Sequence, residues 1–214
     1  MYIPTINAED RLDVLHQLIQ EHPLGTLVTL EASGLNANHL PFELVTPSAA
    51  APFGTLRAHV ARANPIWKNL DTSTEAIIIF QGPHAYISAS WYEEKKISGK
   101  EVPTFNYAVV HAFGKIQLHE DPAWLMAHLH QLTDMHEVTQ ENPWQVSDAP
   151  KDYIEKLLKG IIGIEIPLTK ISGKWKVSQN RNTQDARNVA AGLRARDKQN
   201  DAAMAALVES RSPA

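Results

Sequence analysis

Cysteine is absent from the 214 residues, which removes disulfides, thiolate-ligated zinc, iron–sulfur clusters and thiol catalysis together. Basic excess is missing too: Asp and Glu number 24 against 20 Lys and Arg, a formal net charge of −4. Proteins that hold nucleic acid by charge usually show the opposite balance, so direct binding to DNA or RNA is disfavoured. No apolar run reaches the roughly 18 residues of a membrane-spanning helix. The opening residues Met1 to Leu15 lack the basic-then-apolar layout of a secretory leader, so the expected setting is cytoplasmic, with no membrane partner. Catalytic signatures are equally scarce. There is no phosphate-binding Gly-rich loop before a helix, no G-x-S-x-G elbow and no H-E-x-x-H. His128, His130 and His136 share one predicted helix, but no two stand three or four apart; they read as a solvated helix surface and not as metal ligands.

What is present is a chain rich in short β-forming segments. Helical spacing of Leu12, Leu15, Leu18 and Ile19 predicts one helix, closed by Pro23. Strands are predicted over 24–30, 38–45, 53–60, 76–80, 86–91 and 107–118, with Gly82-Pro83 as a turn. Asp121-Pro122 opens a helix with an N-cap followed by proline at the first position. A helix over 151–158, strands over 161–171 and 175–177, and C-terminal helices near 189–196 and 202–208 complete the chain. Strands before helices, without βαβ alternation, predict a mainly β, α+β fold: an antiparallel sheet closing into a barrel with flanking helices. Residues 1–180 read as one domain and 181–214 as its helical extension, where six basic residues meet four acidic ones.

Polar side chains gather where strands open into loops, along Arg57 to Asn64, Tyr86 to Tyr92 and Pro103 to Tyr107. Arginine forks, serine hydroxyls and aromatic faces in this pattern suit a phosphate beside a planar polar ring. Turn chemistry and core packing account for the same residues without a ligand.

Five ordered strings, NHLPF (38–42), GTLRAHVARANPIWK (54–68), GPHAYISASWY (82–92), VPTFNYAVVHAFG (102–114) and KWKVSQNR (174–181), resemble the PaiB family. Its members are described as FMN-binding split-barrel proteins and negative transcriptional regulators. Two positions depart from the family, with Ala89 in place of Pro and Phe105 in place of Trp. The resemblance implies a six-stranded, Greek-key split barrel that forms a homodimer and holds FMN between the subunits. Its functions would be flavin-dependent redox activity, negative transcriptional regulation, or both. It places His59, Val60, Ala61 and Arg62 along the isoalloxazine edge, with Arg57 on the same strand also among the cofactor-binding residues. Asn64, Lys68, Ser88, Ser90 and Trp91 go to the ribityl-phosphate tail. Asn106, Tyr107 and His111 lie on the dimer-forming strand, and Gln179 and Arg181 at the rim. Two alternatives stand beside it. One is a haem-binding split barrel with His59 or His111 as axial ligand. The other is a direct DNA-binding regulator using Arg187, Arg194 and Arg196.

Overall fold

The computed structural model describes residues 1–71 and 73–212, and the backbone alone at Lys96. In chain order the elements are β1 (Ala8–Glu9), α1 (Leu12–Glu21), β2 (Leu24–Glu31), β3 (Gly34–Pro41), β4 (Glu43–Val45) and β5 (Thr55–Ala61). Then come α2 (Ile66–Asn69), β6 (Ala76–Ile87), α3 (Glu93–Ser98), β7 (Thr104–Gly114), β8 (Gln117–His119) and α4 (Pro122–Glu137). The chain ends with α5 (Lys151–Leu158), β9 (Ile161–Lys176), α6 (Thr183–Arg196) and α7 (Asp201–Ser210). Nine strands form one sheet in the order β3-β2-β6-β7-β9-β5-β4, with β1 and β8 also pairing with β9. This is the antiparallel sheet with helices that the sequence predicts. The count exceeds six because β1, β4 and β8 are two- or three-residue additions. Among the described residues, no helix is long and apolar enough to cross a membrane.

The chain divides into two compact units. The first comprises 1–18, 81–110 and 172–214. Its core holds Leu15, Ile87, Tyr92, Val110, Trp175 and Val177 with Val189, Leu193, Met204 and Val208 from α6 and α7. Within it Gly192 lies against the Trp91 indole, where a Cβ would come within 2.6 Å of Trp91 Cδ2. Glycine to alanine in a helix ordinarily adds about 1 kcal/mol. Here the overlap reverses the sign: Gly192→Ala is expected to cost roughly 1–3 kcal/mol, seen as a lowered melting temperature.

The second unit comprises 19–80 and 111–171. Strand β5 alternates strictly, so its Leu56, Ala58 and Val60 join Ile162, Ile164 and Ile166 of β9 in the core. The opposite face of the same strands carries polar residues. Register aligns Glu43 with Arg57, Arg57 with Glu165, and Glu165 with Gln117 across β4, β5, β9 and β8. The next row on that face sets His59, Gly163 and His119 side by side. Helix α4 begins as its sequence predicts, Asp121 accepting from the Trp124 N–H with Pro122 at the first position. It lays Trp124 over Gly163, where a Cβ would strike the indole. A second apolar cluster, Leu125, Val146, Ile154 and Leu158, ties α4 to α5.

Candidate functional site

The KWKV stretch at the end of β9 alternates burial. Trp175 and Val177 are 3% and 1% exposed, which puts Lys174 and Lys176 together on the other face. Ser178 then takes the left-handed conformation, with φ of 67°, and ends the strand. That turn presents its hydroxyl to Asn106, whose side-chain amide donates to it at 2.9 Å; both residues are buried. Ser178 keeps its own proton to donate.

Asn106, Ser178, Lys176, Thr104, Tyr92 and Arg181 line a cavity of about 200 Å³ in the first unit, with Val102 and Pro103 among its apolar walls. The Lys176 ammonium donates to Thr104 Oγ1 and, at 2.6 Å, to the Phe105 carbonyl, both neutral oxygens. Burial first, then the charges of Lys174 and Arg181, push its pKa down. Arg181 lies 4.0 Å above the centre of the buried Tyr92 ring and pairs with Glu101 at 2.7 Å. Burial is the largest single influence on the Arg181 cation and opposes it, but Glu101 and Tyr92 acting together outweigh burial and raise its pKa. The Tyr92 phenol is pushed up by burial. The cavity therefore holds one cation balanced by a carboxylate and another, Lys176, hydrogen-bonded to neutral oxygens. An anion entering here would meet two positive charges and the neutral donor-bearing side chains of Tyr92, Thr104, Asn106, Ser178 and Asn180.

Of the residues the sequence points to in this unit, Asn106 and Arg181 line that cavity. Tyr107 carries Lys174 over its ring at 5.3 Å. Gln179 turns back on its own chain, accepting from Val177 N–H at 2.8 Å and donating to the Trp175 carbonyl. Ser88 and Ser90 share a hydroxyl hydrogen bond of 2.7 Å at a one-turn helix, residues 89–91. Trp91 sits between Gly192 and Arg196, whose guanidinium is 5.3 Å from its ring centre. Sequence reasoning marked the stretches that hold Tyr92 and Thr104 without naming these two as site residues, and missed Lys176 and Ser178; the two-residue alternation of Lys174-Trp175-Lys176-Val177 was the signal for Lys176.

In the second unit Arg57, His59, Arg62 and Asn64 already have hydrogen-bonding partners. Arg57 pairs with Glu165 at 2.6 Å. Arg62 is held by Glu120 at 2.7 Å and by the Lys159 carbonyl at 2.9 Å. Val60 is a core residue, leaving its backbone alone for any ligand, and Ala61 is exposed. Asn64 donates to Asn38 at 2.8 Å, and exposed Lys68 lies over the Trp67 ring at 5.1 Å. The Nδ1 of His111 is buried with no hydrogen-bond partner among the described residues, and burial lowers its pKa. His59 contacts His128, which contacts Glu43. His128 is 1% exposed, so the reading of a solvated helix surface fails at this residue. Its partners come from β4 and β5, which spacing within the helix could not reveal.

Burial, then His128, lowers the His59 pKa to about 4. The unfolded chain protonates this residue near 6.5, so it holds more protons than the native state between those values. Stability is therefore expected to fall as pH drops from about 6.5 to about 4, by up to roughly 3 kcal/mol. His59→Gln should flatten that slope in urea unfolding followed across this interval.

A split-barrel flavoprotein class is what these features define once compared with known proteins. The family model described as "Putative FMN-binding domain" matches residues 1–170, and the chain belongs to that family, whose cofactor is FMN. It is also a PaiB homologue. The protease synthase and sporulation protein PAI 2 of Bacillus subtilis is 34% identical over 209 residues, spanning 98% of this chain and 97% of the relative. An uncharacterized protein of Emericella nidulans, AN0679, is 36% identical with 90% of each chain covered. Among solved structures, the FAD and haem binding protein from Mycobacterium smegmatis shares the fold at TM-score 0.59 and 15% identity, covering 87% of this chain and 80% of that one. The flavocytochrome Anf3 from Azotobacter vinelandii does so at TM-score 0.55 and 12% identity, with 78% and 68% covered.

Proposed function

We propose that the chain holds the phosphate of FMN in the Lys176–Arg181 cavity and works as a homodimeric flavoprotein. The observation that carries this reading is Lys176 itself: a partly buried ammonium, crowded by Lys174 and Arg181, with neutral oxygens as its described partners. A phosphate supplies the negative charge that this arrangement lacks. Asn106, Ser178 and Thr104 bring uncharged donors, and Tyr92 fixes the guanidinium plane of Arg181. The cavity suits the phosphate and adjoining tail, not the whole cofactor. When bound, the isoalloxazine supplies the redox chemistry and the protein supplies its placement. Arg57, His59, Val60, Ala61, Arg62, Tyr107, His111 and Gln179 join this reading through the family resemblance, whereas the resemblance's tail placement on Asn64, Lys68, Ser88, Ser90 and Trp91 is the competing site for the phosphate.

The regulatory role the resemblance implies is read here as indirect. Arg194 is paired with Glu209 and Arg196 with Asp201, which leaves these two cations little charge to offer DNA. Titration with FMN and riboflavin, followed by flavin fluorescence, tests the proposal: FMN binds more tightly because only it carries the phosphate. Equal affinities would count against the cavity assignment. Sedimentation should give a dimer, and a monomer that still bound FMN tightly would contradict the subunit-interface part.

A further inference from the structure

The polar face of the second unit contains a three-member chain of which the flavin reading uses only the outer member, His59. His59 Nδ1 lies 3.1 Å from His128 Nε2, and His128 Nδ1 lies 3.0 Å from Glu43 Oε2. His128 and Glu43 are buried, at 1% and 7% exposure, whereas His59 is only partly covered. The two imidazoles meet edge to face, 5.3 Å apart at 70°. The Trp124 indole stacks within 5.5 Å of His128 on one side and at 4.2 Å on His119 on the other, covering the inner imidazole.

An ionised carboxylate can only accept, so His128 Nδ1 carries a hydrogen and donates to Glu43. Two states of the chain then satisfy the remaining bond, and they differ by one proton. In the first, His128 is neutral, its Nε2 accepts from His59 Nδ1–H, and His59 Nε2 bears a lone pair. In the second, His128 is doubly protonated and donates to His59 Nδ1, while His59 Nε2 carries the hydrogen. A proton arriving at His59 Nε2 converts the first into the second: that N–H bond forms, the Nδ1–H bond of His59 breaks, and the Nε2–H bond of His128 forms.

We propose that His59, His128 and Glu43 form a proton relay in which His59 Nε2 takes a proton from an N–H or O–H acid and the positive charge comes to rest on His128, beside Glu43. The surrounding charges leave Glu43 as the deciding one. Arg57 on β5 is matched by Glu165 on β9; His119 on β8 is 3.6 Å from that same Glu165; Trp124 and Gln131 of α4 are neutral. Charge on His59 itself is disfavoured by burial and by His128, which holds its pKa near 4 and keeps a second proton off the pair. His128 and Glu43 are positioning residues here, acting through His59.

Nitrogen-15 NMR of the two imidazoles in the full chain without added flavin tests this, since it needs no cofactor and no turnover. Across about pH 5–8, His59 should stay neutral while its hydrogen moves from Nδ1 to Nε2. It should do so at the same midpoint at which His128 gains its second proton. Glu43→Gln should lower that shared midpoint by at least about one pH unit, a tenfold loss of proton affinity. His128→Gln should abolish the pH-linked exchange of the His59 tautomer. Separate midpoints for the two rings, a doubly protonated His59 in this range, or a midpoint unmoved by Glu43→Gln would overturn the relay. Should Glu43→Gln not fold, the titration of the unaltered chain decides by itself.

Discussion

Lys176→Gln lowers FMN affinity by roughly 10- to 100-fold and leaves riboflavin affinity unchanged. Glutamine keeps much of the length and can still donate to Thr104 and the Phe105 carbonyl, so the walls of the cavity survive. What disappears is one charge-assisted hydrogen bond to phosphate, ordinarily about 1.5–3 kcal/mol. Riboflavin lacks that phosphate and has nothing to lose. An equal fall for both ligands would mean that Lys176 shapes the cavity without meeting the anion. Lys68→Ala serves as the contrast: its ammonium is exposed and screened by water, so its effect should be distinctly smaller. A larger effect from Lys68 would move the phosphate to the loop after β5.

Gly163→Ala is expected to destabilise the protein by roughly 1–3 kcal/mol, with a fall of several degrees in melting temperature. The added methyl would enter the space of the Trp124 ring. That ring is stacked on His119 at an interplanar angle of 4° and has the Arg57 guanidinium 5.6 Å from its centre. Displacing it loosens several contacts that hold α4 to the sheet. Combining Gly163→Ala with Trp124→Phe should cost less than the two changes summed, because the smaller ring gives the methyl room. Strict additivity would show that the two residues do not compete for one space.

Much of the fold was legible because local chemistry and tertiary structure agree. Asp121-Pro122 caps α4 and the Lys151–Leu158 helix has the bounds its pattern suggested. Disagreement arose where a local turn signal met a long strand. Gly82-Pro83 reads as a turn, yet β6 runs through it from Ala76 to Ile87. Proline lacks only the N–H, and a ladder position that needs no donor tolerates it. The strands predicted over 161–171 and 175–177 are likewise one strand, β9, which runs unbroken from Ile161 to Lys176. The candidate site was half visible. Asn106 stood out among the polar residues at strand ends and Arg181 through the family resemblance, whereas Lys176 was not singled out. Its meaning depends on Thr104 and Arg181, brought close by folding. The same holds for His128, whose partners Glu43 and His59 lie 85 and 69 residues away.

The most direct test of the flavin assignment is the absorption spectrum of the freshly purified protein, before and after addition of FMN, with the released ligand weighed by mass spectrometry. The account predicts flavin bands, a released mass equal to FMN, and uptake of added FMN by protein purified without it. A Soret band, or a colourless protein that takes up no FMN, would contradict it.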